Sequence, residues 1–372
     1  MRVLVVASEF PPGPGGIGTH AYELARGLGK LDWEVTALVK QDYVTGEEAE
    51  AFNRSQAFPV AVLPRAAWAR TRVLGRKIRD WRPDLVVASG DKMIYLTAWA
   101  AWGRSWVAVE HGRNPAGWER EVKRWALERA TGVVGVSRYT WQRMAATGVR
   151  PRQGQVIPNG ADPGRFRILP NGLAGEARRS LGLGGARLLI TVGNVTARKG
   201  QDIVIRALPR ILERVPDTHY LMAGLPTRQR EFAALAGELG VAGRVHFLGL
   251  VEAERLVGLL NAADVFTMTS RHAGDQFEGY GIAVTEAALC GLPAVVTGES
   301  GLPEAIVEGE TGLAAPQEDV AGVAEAVVKL LEDEGRRRAM GEAARRRALA
   351  EQTWESRVRA YDTFFRSLLC NC

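Results

Sequence analysis

Short apolar runs alternate with stretches of helical periodicity along the first forty residues of the chain. Residues 2–8 form a continuous apolar run, which predicts a strand buried on both faces of a sheet. Residues 19–28 place their apolar side chains on one helical face, with Thr19 as the predicted N-cap. Residues 33–39 predict the next strand. This β-loop-α-β order is typical of an open, mostly parallel α/β sheet.

The same alternation continues along the chain with one interruption. Further strands are predicted at residues 84–88, 106–109, 131–137, 187–193, 218–224, 245–249, 264–269 and 293–297. Residues 162–185 are rich in Pro, Gly and Arg and have weak periodicity, which favours a linker. We therefore predict two α/β domains, residues 1–163 and 164–354. We expect a final helix, at about residues 355–372, to pack back on the first domain.

Composition agrees with two globular domains and excludes several other classes of protein. The chain has 372 residues, of which 46% are hydrophobic and 24% are charged, as in ordinary soluble domains. No run of about 18 uncharged apolar residues predicts a membrane-spanning helix, and the N-terminus lacks the apolar core of a signal peptide. Three cysteines (Cys290, Cys370 and Cys372) are too few for a disulfide framework or a zinc site. We expect a cytoplasmic protein without a bound metal.

The net charge of +6 is compatible with anionic ligands or an acidic membrane surface. Nucleic acid is not an expected partner, because no stripe of basic and aromatic residues follows a recognisable module. The arginine triplets at 336–338 and 345–347 predict a solvated helix face.

Three loops that follow predicted strands carry candidate chemistry. In the first, Gly15, Gly16 and Gly18 would let the backbone approach an anion at a helix start, although a plain tight turn explains them equally well. Their spacing is not the dinucleotide fingerprint, and the second strand ends at Lys40 rather than at an acidic residue. These two departures exclude a dinucleotide-dependent oxidoreductase.

The second loop follows the strand at residues 187–193. Arg198 and Lys199 begin the next helix, where two adjacent cations can neutralise a diphosphate. The alternative is a surface pair that solvates the loop. The segment lacks the P-loop pattern, so ATP hydrolysis is not indicated.

The third loop is the most specific. Glu278 and Glu286 are eight residues apart, one before a predicted helix and one about one turn inside it. Backbone amides at residues 279–281 can face a phosphate while the two carboxylates bind hydroxyl groups on either side. A capped helix with two solvated glutamates is the alternative interpretation.

Taken in order, these motifs resemble one family over nearly the whole chain. Glu278 and Glu286, the run at residues 198–200, Ile157-Pro-Asn-Gly160 and the Gly15–Gly16 pair are similar to the retaining glycosyltransferases of family 4. That resemblance implies the GT-B architecture, an α/β fold of two Rossmann-like domains that face an interdomain cleft, the first binding the acceptor and the second the donor. It also implies transfer of a hexosyl unit from a UDP- or GDP-sugar to a hydroxyl acceptor on a glycan, glycolipid or small molecule, with no cofactor or metal.

The resemblance also implies roles for single residues. His111, Arg198, Lys199 and Glu278 match the catalytic positions: the histidine near the reactive face of the sugar, the two cations on the departing diphosphate, and the carboxylate on sugar hydroxyls. Gly16 and His111 match acceptor-facing positions. The implied donor site comprises Gly15, Gly16, Gly193, Arg198, Lys199, Glu278, Gly279, Tyr280, Gly281, Ile282 and Glu286, the last on the ribose. Ser300 departs from the family, which has glycine there, and Asp275 is a candidate for the choice of hexose.

No carboxylate nucleophile is evident beside His111, so a front-face substitution is the expected retaining mechanism. Two other functions remain open: a non-catalytic nucleotide-sugar-binding protein, and an epimerase on the same scaffold. Tryptophans near arginines in the first domain, such as Trp68, Trp118 and Trp125, suit a peripheral contact with an anionic membrane and a lipid-linked acceptor. They equally suit a core and a sugar-stacking wall.

Overall fold

The computed structural model describes residues 1–170 and 172–370 and divides into two compact α/β units. The first unit consists of Met1–Asn159 together with the C-terminal helix, and the second of Gly160–Thr353. In the described part of the first unit, seven parallel strands form one sheet in the order β3-β2-β1-β4-β5-β6-β7. The strands are β1 Arg2–Ala7, β2 Glu34–Val39, β3 Val60–Val62, β4 Leu85–Ser89, β5 Trp106–Glu110, β6 Gly132–Gly135 and β7 Gly154–Val156.

Helices cover both faces of this sheet. They are α1 Gly16–Gly29, α2 Gly46–Arg54, α3 Ala67–Trp81, α4 Asp91–Ala100, α5 Gly117–Arg129 and α6 Arg138–Ala145. Apolar residues of α3, α4, α5 and α6 pack in one core with every second residue of the central strands, including Leu4, Val6, Val86 and Ala88. The four helices therefore cover one face, because alternate strand residues point to the same side.

The second unit repeats this architecture. Its described residues form six parallel strands in the order β10-β9-β8-β11-β12-β13. The strands are β8 Arg187–Val192, β9 Thr218–Ala223, β10 Val245–Gly249, β11 Val265–Met268, β12 Ala294–Thr297 and β13 Gly312–Ala315. The helices are α7 Leu173–Ser180, α8 Gln201–Arg214, α9 Gln229–Glu238, α10 Ala253–Ala262, α11 Ile282–Leu289, α12 Val320–Glu332 and α13 Glu334–Glu351. In both sheets the loops at the carboxyl ends of neighbouring strands meet at one edge, where ligands of such sheets bind.

The last helix, α14 (Trp354–Cys370), returns to the first unit. It packs on α1 so closely that a Cβ added to Gly27 would lie 2.6 Å from a methyl carbon of Val358. A Cβ on Gly132 of β6 would likewise lie 2.8 Å from Leu368. The buried side chains Tyr361 and Phe365 complete the apolar face that α14 presents to the first unit.

The structure corrects two predictions about the second unit. The expected linker at residues 162–185 contains α7, which packs on α10, and its Arg178 makes an ion pair of 2.8 Å with Asp264. The arginine triplets are only partly solvated. Arg337 is buried and donates to the carbonyl of Leu330 at 3.1 Å, and Arg347 donates to the carbonyl of Ala305 at 2.7 Å. Long arginine side chains here satisfy carbonyl groups that helix and turn ends leave without backbone partners.

Within the described residues, no helix combines the length and apolarity that crossing a bilayer requires. Cys290 and Cys370 are free thiols, the first buried and the second exposed, while Cys372 lies outside the described residues.

Candidate functional site

Arg198 and Lys199 lie in the loop that joins β8 to α8. They belong to a single 3₁₀ turn, Ala197–Lys199, whose N-cap Thr196 accepts a hydrogen bond from the Lys199 amide at 3.4 Å. Gln201, buried at the start of α8, donates to the carbonyl of Asn194 at 3.0 Å and fastens the same loop. The backbone that carries the two cations is therefore fixed at both ends.

Glu278 meets both cations. Its Oε2 atom accepts from Arg198 Nη1 at 2.6 Å and from Lys199 Nζ at 2.9 Å, and the Ser270 hydroxyl lies 3.4 Å away. Glu278 and Ser270 belong to the segment that joins β11 to α11. The fold thus brings three charged side chains together across about 80 residues of sequence.

The protonation states in this cluster follow from burial and charge. Burial opposes ionisation of Glu278, but the charges of Lys199 and Arg198 outweigh it and hold the pKa of that carboxyl at about 2. Burial lowers the pKa of Lys199 from its ordinary value, although the carboxylate partly offsets this. The cluster is charged near neutral pH, and two cations against one anion leave it net positive. Among the described residues, no group of three histidine, cysteine or acidic side chains is placed to hold a metal ion.

Two glycines leave room for close contacts beside this cluster, one with backbone and one with the lysine side chain. Gly200 has φ 69°, and a Cβ there would lie 1.9 Å from the carbonyl oxygen of Thr269. The Thr269 hydroxyl in turn donates to the Gly200 carbonyl at 2.6 Å. A Cβ on Gly193 would lie 3.3 Å from the Lys199 Cε atom, so this glycine leaves room for the lysine stem. Only glycine fits at position 200, because the obstruction is backbone.

The predicted phosphate-binding amides lie at the start of α11. Gly279 and Tyr280 are buried, Gly281 has φ 84°, and the helix begins at Ile282. The first-turn amides of a helix, together with its dipole, favour an anion at this end. Tyr280 is held from behind, where the Gln352 side chain donates to its hydroxyl at 3.2 Å.

Ser300 stands where the family pattern has glycine, and its backbone does not adopt the positive φ that would require glycine. It is buried, and its hydroxyl accepts from the Leu302 amide at 3.2 Å, while the positive φ of this turn, 53°, falls on Glu299 instead. The next residue is the constrained one, because a Cβ on Gly301 would lie 1.9 Å from the Gly279 carbonyl. The loop therefore still supports the backbone beside Glu278, whose carbonyl accepts from the Gly301 amide at 2.9 Å.

Glu286 lies in the second turn of α11 and is half-buried. Burial, together with the nearby Glu286 charge, raises the pKa of the Cys290 thiol to about 12, so that thiol stays protonated. Asp275 is half-buried in a turn closed by an antiparallel bridge between Ala273 and Gln276.

In the first unit, the glycine loop leads directly into α1. The helix begins at Gly16, with Gly15 as its N-cap and no side-chain cap. The predicted N-cap, Thr19, is wrong: it lies in the first turn, where its hydroxyl donates to the Gly15 carbonyl at 3.0 Å. No side chain caps this start, and glycine at position 18 lets the helix pack on the preceding loop, because a Cβ there would lie 3.0 Å from the backbone nitrogen of Phe10.

His111 follows β5 and packs against a second histidine that the sequence analysis missed. The rings of His111 and His20 meet edge to face, with centroids 4.9 Å apart. His20 is fully buried on α1, and its Nε2 atom lies 2.9 Å from the hydroxyl of Tyr361 on α14. Burial lowers the pKa of His20 to about 3 and that of His111 well below its ordinary value, so both rings are neutral at pH 7.

A buried ion-pair network lies behind His111. Glu110 pairs with Lys123 at 2.6 Å, and Lys123 also pairs with Asp91 at 3.1 Å. Burial raises the pKa of Glu110 to about 7 despite the lysine. Its side chain occupies the same side of β5 as Trp106, which packs in the core under α3, α4 and α5. The network thus braces the strand that immediately precedes His111.

The predicted site residues fall into two groups, one in each unit. Gly15, Gly16 and His111 belong to the first unit, and the remaining predicted residues, Gly193, Arg198, Lys199, Glu278, Gly279, Tyr280, Gly281, Ile282 and Glu286, belong to the second. Sequence reasoning missed His20, Tyr361 and Glu110. The one available signal was a histidine within the apolar stripe of α1, whereas nothing local in the sequence links His20 to Tyr361.

Comparison with known proteins identifies the family of the chain. Residues 14–165 match the family described as Glycosyltransferase Family 4, and residues 175–347 match the family described as Glycosyl transferases group 1. The chain is 34% identical to a GDP-mannose-dependent alpha-(1-6)-phosphatidylinositol monomannoside mannosyltransferase of Mycolicibacterium smegmatis, over 95% of this chain and 96% of that protein. It is 31% identical to a protein of the same description from Mycobacterium tuberculosis, over 98% of both chains.

Solved structures share the fold at lower sequence identity. The crystal structure of Anabaena HepE in complex with UDP and glucose has a TM-score of 0.86 at 20% identity, and covers 99% of this chain and 100% of that chain. Sucrose-phosphate synthase from Thermosynechococcus elongatus has a TM-score of 0.82 at 19% identity, with full coverage of both chains. These likenesses show the GT-B fold.

Proposed function

The chain belongs to glycosyltransferase family 4, and from this premise we propose that it moves a hexosyl unit from a nucleotide-diphosphate sugar to a hydroxyl acceptor. The observation that carries the proposal is the convergence of Arg198 and Lys199 on Glu278, at 2.6 and 2.9 Å. Two cations beside a carboxylate suit a ligand that joins a diphosphate to a polyhydroxyl ring.

The proposed donor is GDP-mannose. Relatives that are 34% and 31% identical over nearly their whole length are described as GDP-mannose-dependent mannosyltransferases. A UDP-sugar is the second candidate, because the HepE structure is described as a complex with UDP and glucose. Glu286 would bind the ribose of either nucleotide, so this residue does not distinguish them.

The proposed reaction retains the anomeric configuration by front-face substitution. The acceptor oxygen bonds to the anomeric carbon as the bond from that carbon to the diphosphate oxygen breaks. The hydroxyl proton passes to the departing diphosphate oxygen. Arg198 and Lys199 offset the charge that grows on the diphosphate, which is the function a divalent metal has in other transferases. Neutral His111 contacts the sugar near its reactive face, and activity does not require an added metal.

The proposed acceptor is a phosphatidylinositol-type lipid, reached at an anionic membrane surface on the cytoplasmic side. Both relatives are described as acting on phosphatidylinositol monomannoside. Four tryptophans on or next to helices of one sheet face are at least 68% exposed: Trp68, Trp99, Trp102 and Trp118. Arg129 lies over Trp102, 4.0 Å from the ring centroid, so cationic and indole groups share this surface. Exposed indoles beside cations favour the interface of an anionic bilayer.

Thermal unfolding of the purified protein with GDP, UDP, ADP and their sugar conjugates tests the donor site, each ligand with and without EDTA. A ligand that binds only the folded state at a hundredfold excess over its Kd adds about 2.7 kcal/mol of stability. We expect GDP and GDP-mannose to raise the Tm, and EDTA to leave that rise unchanged. No rise with any nucleotide would contradict the proposal.

Turnover separates the enzyme from its two alternatives. With GDP-mannose and phosphatidylinositol-monomannoside vesicles, we expect a mannosyl lipid whose NMR coupling constants show the donor configuration. A binding protein without catalysis would release no GDP, and an epimerase would change the sugar without an acceptor. Loss of all activity in EDTA would contradict metal independence.

A further inference from the structure

Glu278 already neutralises one of the two cations that the donor diphosphate would need. The Arg198 guanidinium and the Lys199 ammonium converge on its single oxygen Oε2. The side chains of Glu278 and Lys199 are only 11% and 14% exposed, so water screens these charges weakly. A bound diphosphate must therefore share its cations with a fixed carboxylate.

The two ligands of a sugar transfer differ in charge at this point. In a nucleotide sugar, the phosphate next to the sugar is bonded both to the sugar and to the other phosphate, and carries one negative charge. In the free nucleoside diphosphate, the same phosphate is a terminal group bonded only through the anhydride oxygen, with a second pKa of about 6, and carries about −1.5 to −2 at pH 7. Arg198 and Lys199 by themselves would therefore hold the product more tightly than the substrate.

We propose that Glu278 offsets this preference and so promotes release of the nucleoside diphosphate product. The inference rests on the proposed function. With the nucleotide sugar bound, the carboxylate accepts hydrogen bonds from sugar hydroxyls. After transfer those hydroxyls have left, and Glu278 returns to Arg198 and Lys199 in competition with the terminal phosphate.

The surroundings favour this exchange of partners. The backbone that carries the two cations is held by the loop contacts of Thr196 and Gln201, so both cations stay anchored beside Glu278. Arg271, which follows Ser270 in the segment that carries Glu278, is engaged by Asp202 and by Glu318, the latter at 3.1 Å. Arg271 therefore does not replace Arg198 as the partner of Glu278.

Calorimetric titration of wild type and Glu278→Gln with GDP and with GDP-mannose tests the inference. The variant keeps the size of the side chain and removes its charge. We expect it to bind GDP about fivefold to tenfold more tightly, as after removal of one partly screened charge. GDP-mannose should bind no more tightly than to wild type, because the stronger carboxylate–hydroxyl bonds are lost.

Two matched variants separate this effect from general ones. Glu286→Gln also removes a nearby charge, but at the proposed contact with the ribose, which GDP and GDP-mannose share. The ratio of its affinity for GDP to its affinity for GDP-mannose should therefore equal that of wild type. Glu278→Asp keeps the charge but withdraws it from the two cations by one methylene, so its GDP affinity should lie between those of wild type and Glu278→Gln. This second variant also keeps the inference testable if Glu278→Gln does not fold, because a Glu278→Asp protein that binds GDP more weakly than wild type would contradict it.

The outcomes distinguish the two proposals. If wild type binds both ligands and Glu278→Gln binds GDP with unchanged or weaker affinity, product release does not depend on Glu278 and the donor site survives. If wild type binds neither ligand, the proposed function fails and the inference fails with it. Tighter GDP binding by Glu278→Gln should also lower the concentration of GDP that halves the rate of transfer.

Discussion

The two units present their predicted site residues in opposite electrostatic settings. In the second unit, Arg198, Lys199 and Glu278 are charged near neutral pH and bonded to one another. In the first unit, burial keeps the rings of His111 and His20 neutral, and they meet by ring packing. The predicted site residues of the second unit therefore carry charge, whereas the two histidine rings of the first unit do not.

This difference shows how one architecture supplies two kinds of surface. Both sheets are parallel and both place their candidate residues in loops at the carboxyl ends of strands. The second unit fixes its charges with backbone contacts of short loops. The first unit fixes its imidazoles with a helix from the far end of the sequence, since His20 and Tyr361 are 341 residues apart.

The largest expected effect is on kcat, where loss of a cation should cost far more than loss of a neutral imidazole. Arg198→Ala should lower kcat by about 10²–10³, since it removes a preorganised cation from the departing diphosphate. His111→Asn should lower kcat only about fivefold, since a neutral hydrogen bond is worth about 1 kcal/mol. Initial rates with the donor identified by thermal unfolding measure both. Arg210→Ala, on the exposed face of α8, is the control. Equal losses in the two variants would break the comparison.

The next prediction concerns backbone constraint. Gly200→Ala should lower the free energy of unfolding by about 2–4 kcal/mol and weaken donor binding, because its Cβ would overlap the Thr269 carbonyl. Gly75→Ala, inside α3 with nothing within 4 Å of the new Cβ, should instead raise stability by about 0.5–1 kcal/mol. Denaturant unfolding measures both changes. A neutral Gly200→Ala would show that this loop adapts.

Lowering the pH should destabilise the protein through the buried, neutral His20. His20 has a folded pKa of about 3 against 6.5 unfolded, so its neutral form is stable above pH 6.5 and the protein loses stability as pH falls toward 3. Below pH 6.5, wild type should lose up to about 1.4 kcal/mol per pH unit relative to His20→Phe. Denaturant unfolding of both proteins between pH 7 and 4.5 measures this slope. Parallel pH profiles would mean that His20 is not held neutral.

Over nearly the same pH range, the contribution of Glu278 to the free energy of unfolding should stay constant. The pKa of Glu278 is about 2 when folded and 4.5 when unfolded, so its contribution is complete above pH 4.5 and is lost as pH falls toward 2. Stability profiles of wild type and Glu278→Gln should therefore run parallel from pH 7 to about 5. Divergence in that range would contradict the ion pairs described for this carboxylate.

The smallest expected effect lies on the tryptophan surface. Replacing both Trp99 and Trp102 with Ala should reduce flotation with phosphatidylinositol-containing vesicles several-fold, while GDP binding in solution stays unchanged. Neutral phosphatidylcholine vesicles should bind wild type weakly, and the double variant Trp33→Phe/Trp106→Phe, at buried positions, is the control. Equal flotation of wild type and the Trp99/Trp102 variant would contradict the proposal that this surface contacts a membrane.

Sequence patterns predicted the fold well and anticipated the loops in which Arg198, Lys199 and Glu278 lie, for a physical reason. Buried parallel strands are continuous apolar runs, so β1, β8 and β9 can be recognised singly. Arg198, Lys199 and Glu278 also lie directly after such strands, where ligand-binding loops are expected. The family resemblance implied a role in one donor site for all three residues, and the structure adds the direct contacts of both cations with Glu278, at 2.6 and 2.9 Å.

Sequence patterns failed where the deciding contacts are distant or made by backbone. Short edge strands such as β3 and β7 have three residues each and too little periodicity to detect. The N-cap of α1 was misplaced because this helix begins at Gly16 without a capping side chain, so side-chain preferences do not mark its start. Arg337 looked solvated because its partners, the carbonyls of Leu330 and Leu331, are set by the end of α12.

The return of α14 to the first unit has a consequence for synthesis. The second unit is a continuous segment, Gly160–Thr353, and all of its strands leave the ribosome before α14 does. The first unit begins to emerge earlier but stays without the helix that covers α1 and the partner of His20 until residue 361 is made. The unit translated second is therefore the first that can close, and during that interval an apolar face of the nascent first unit is open to chaperones.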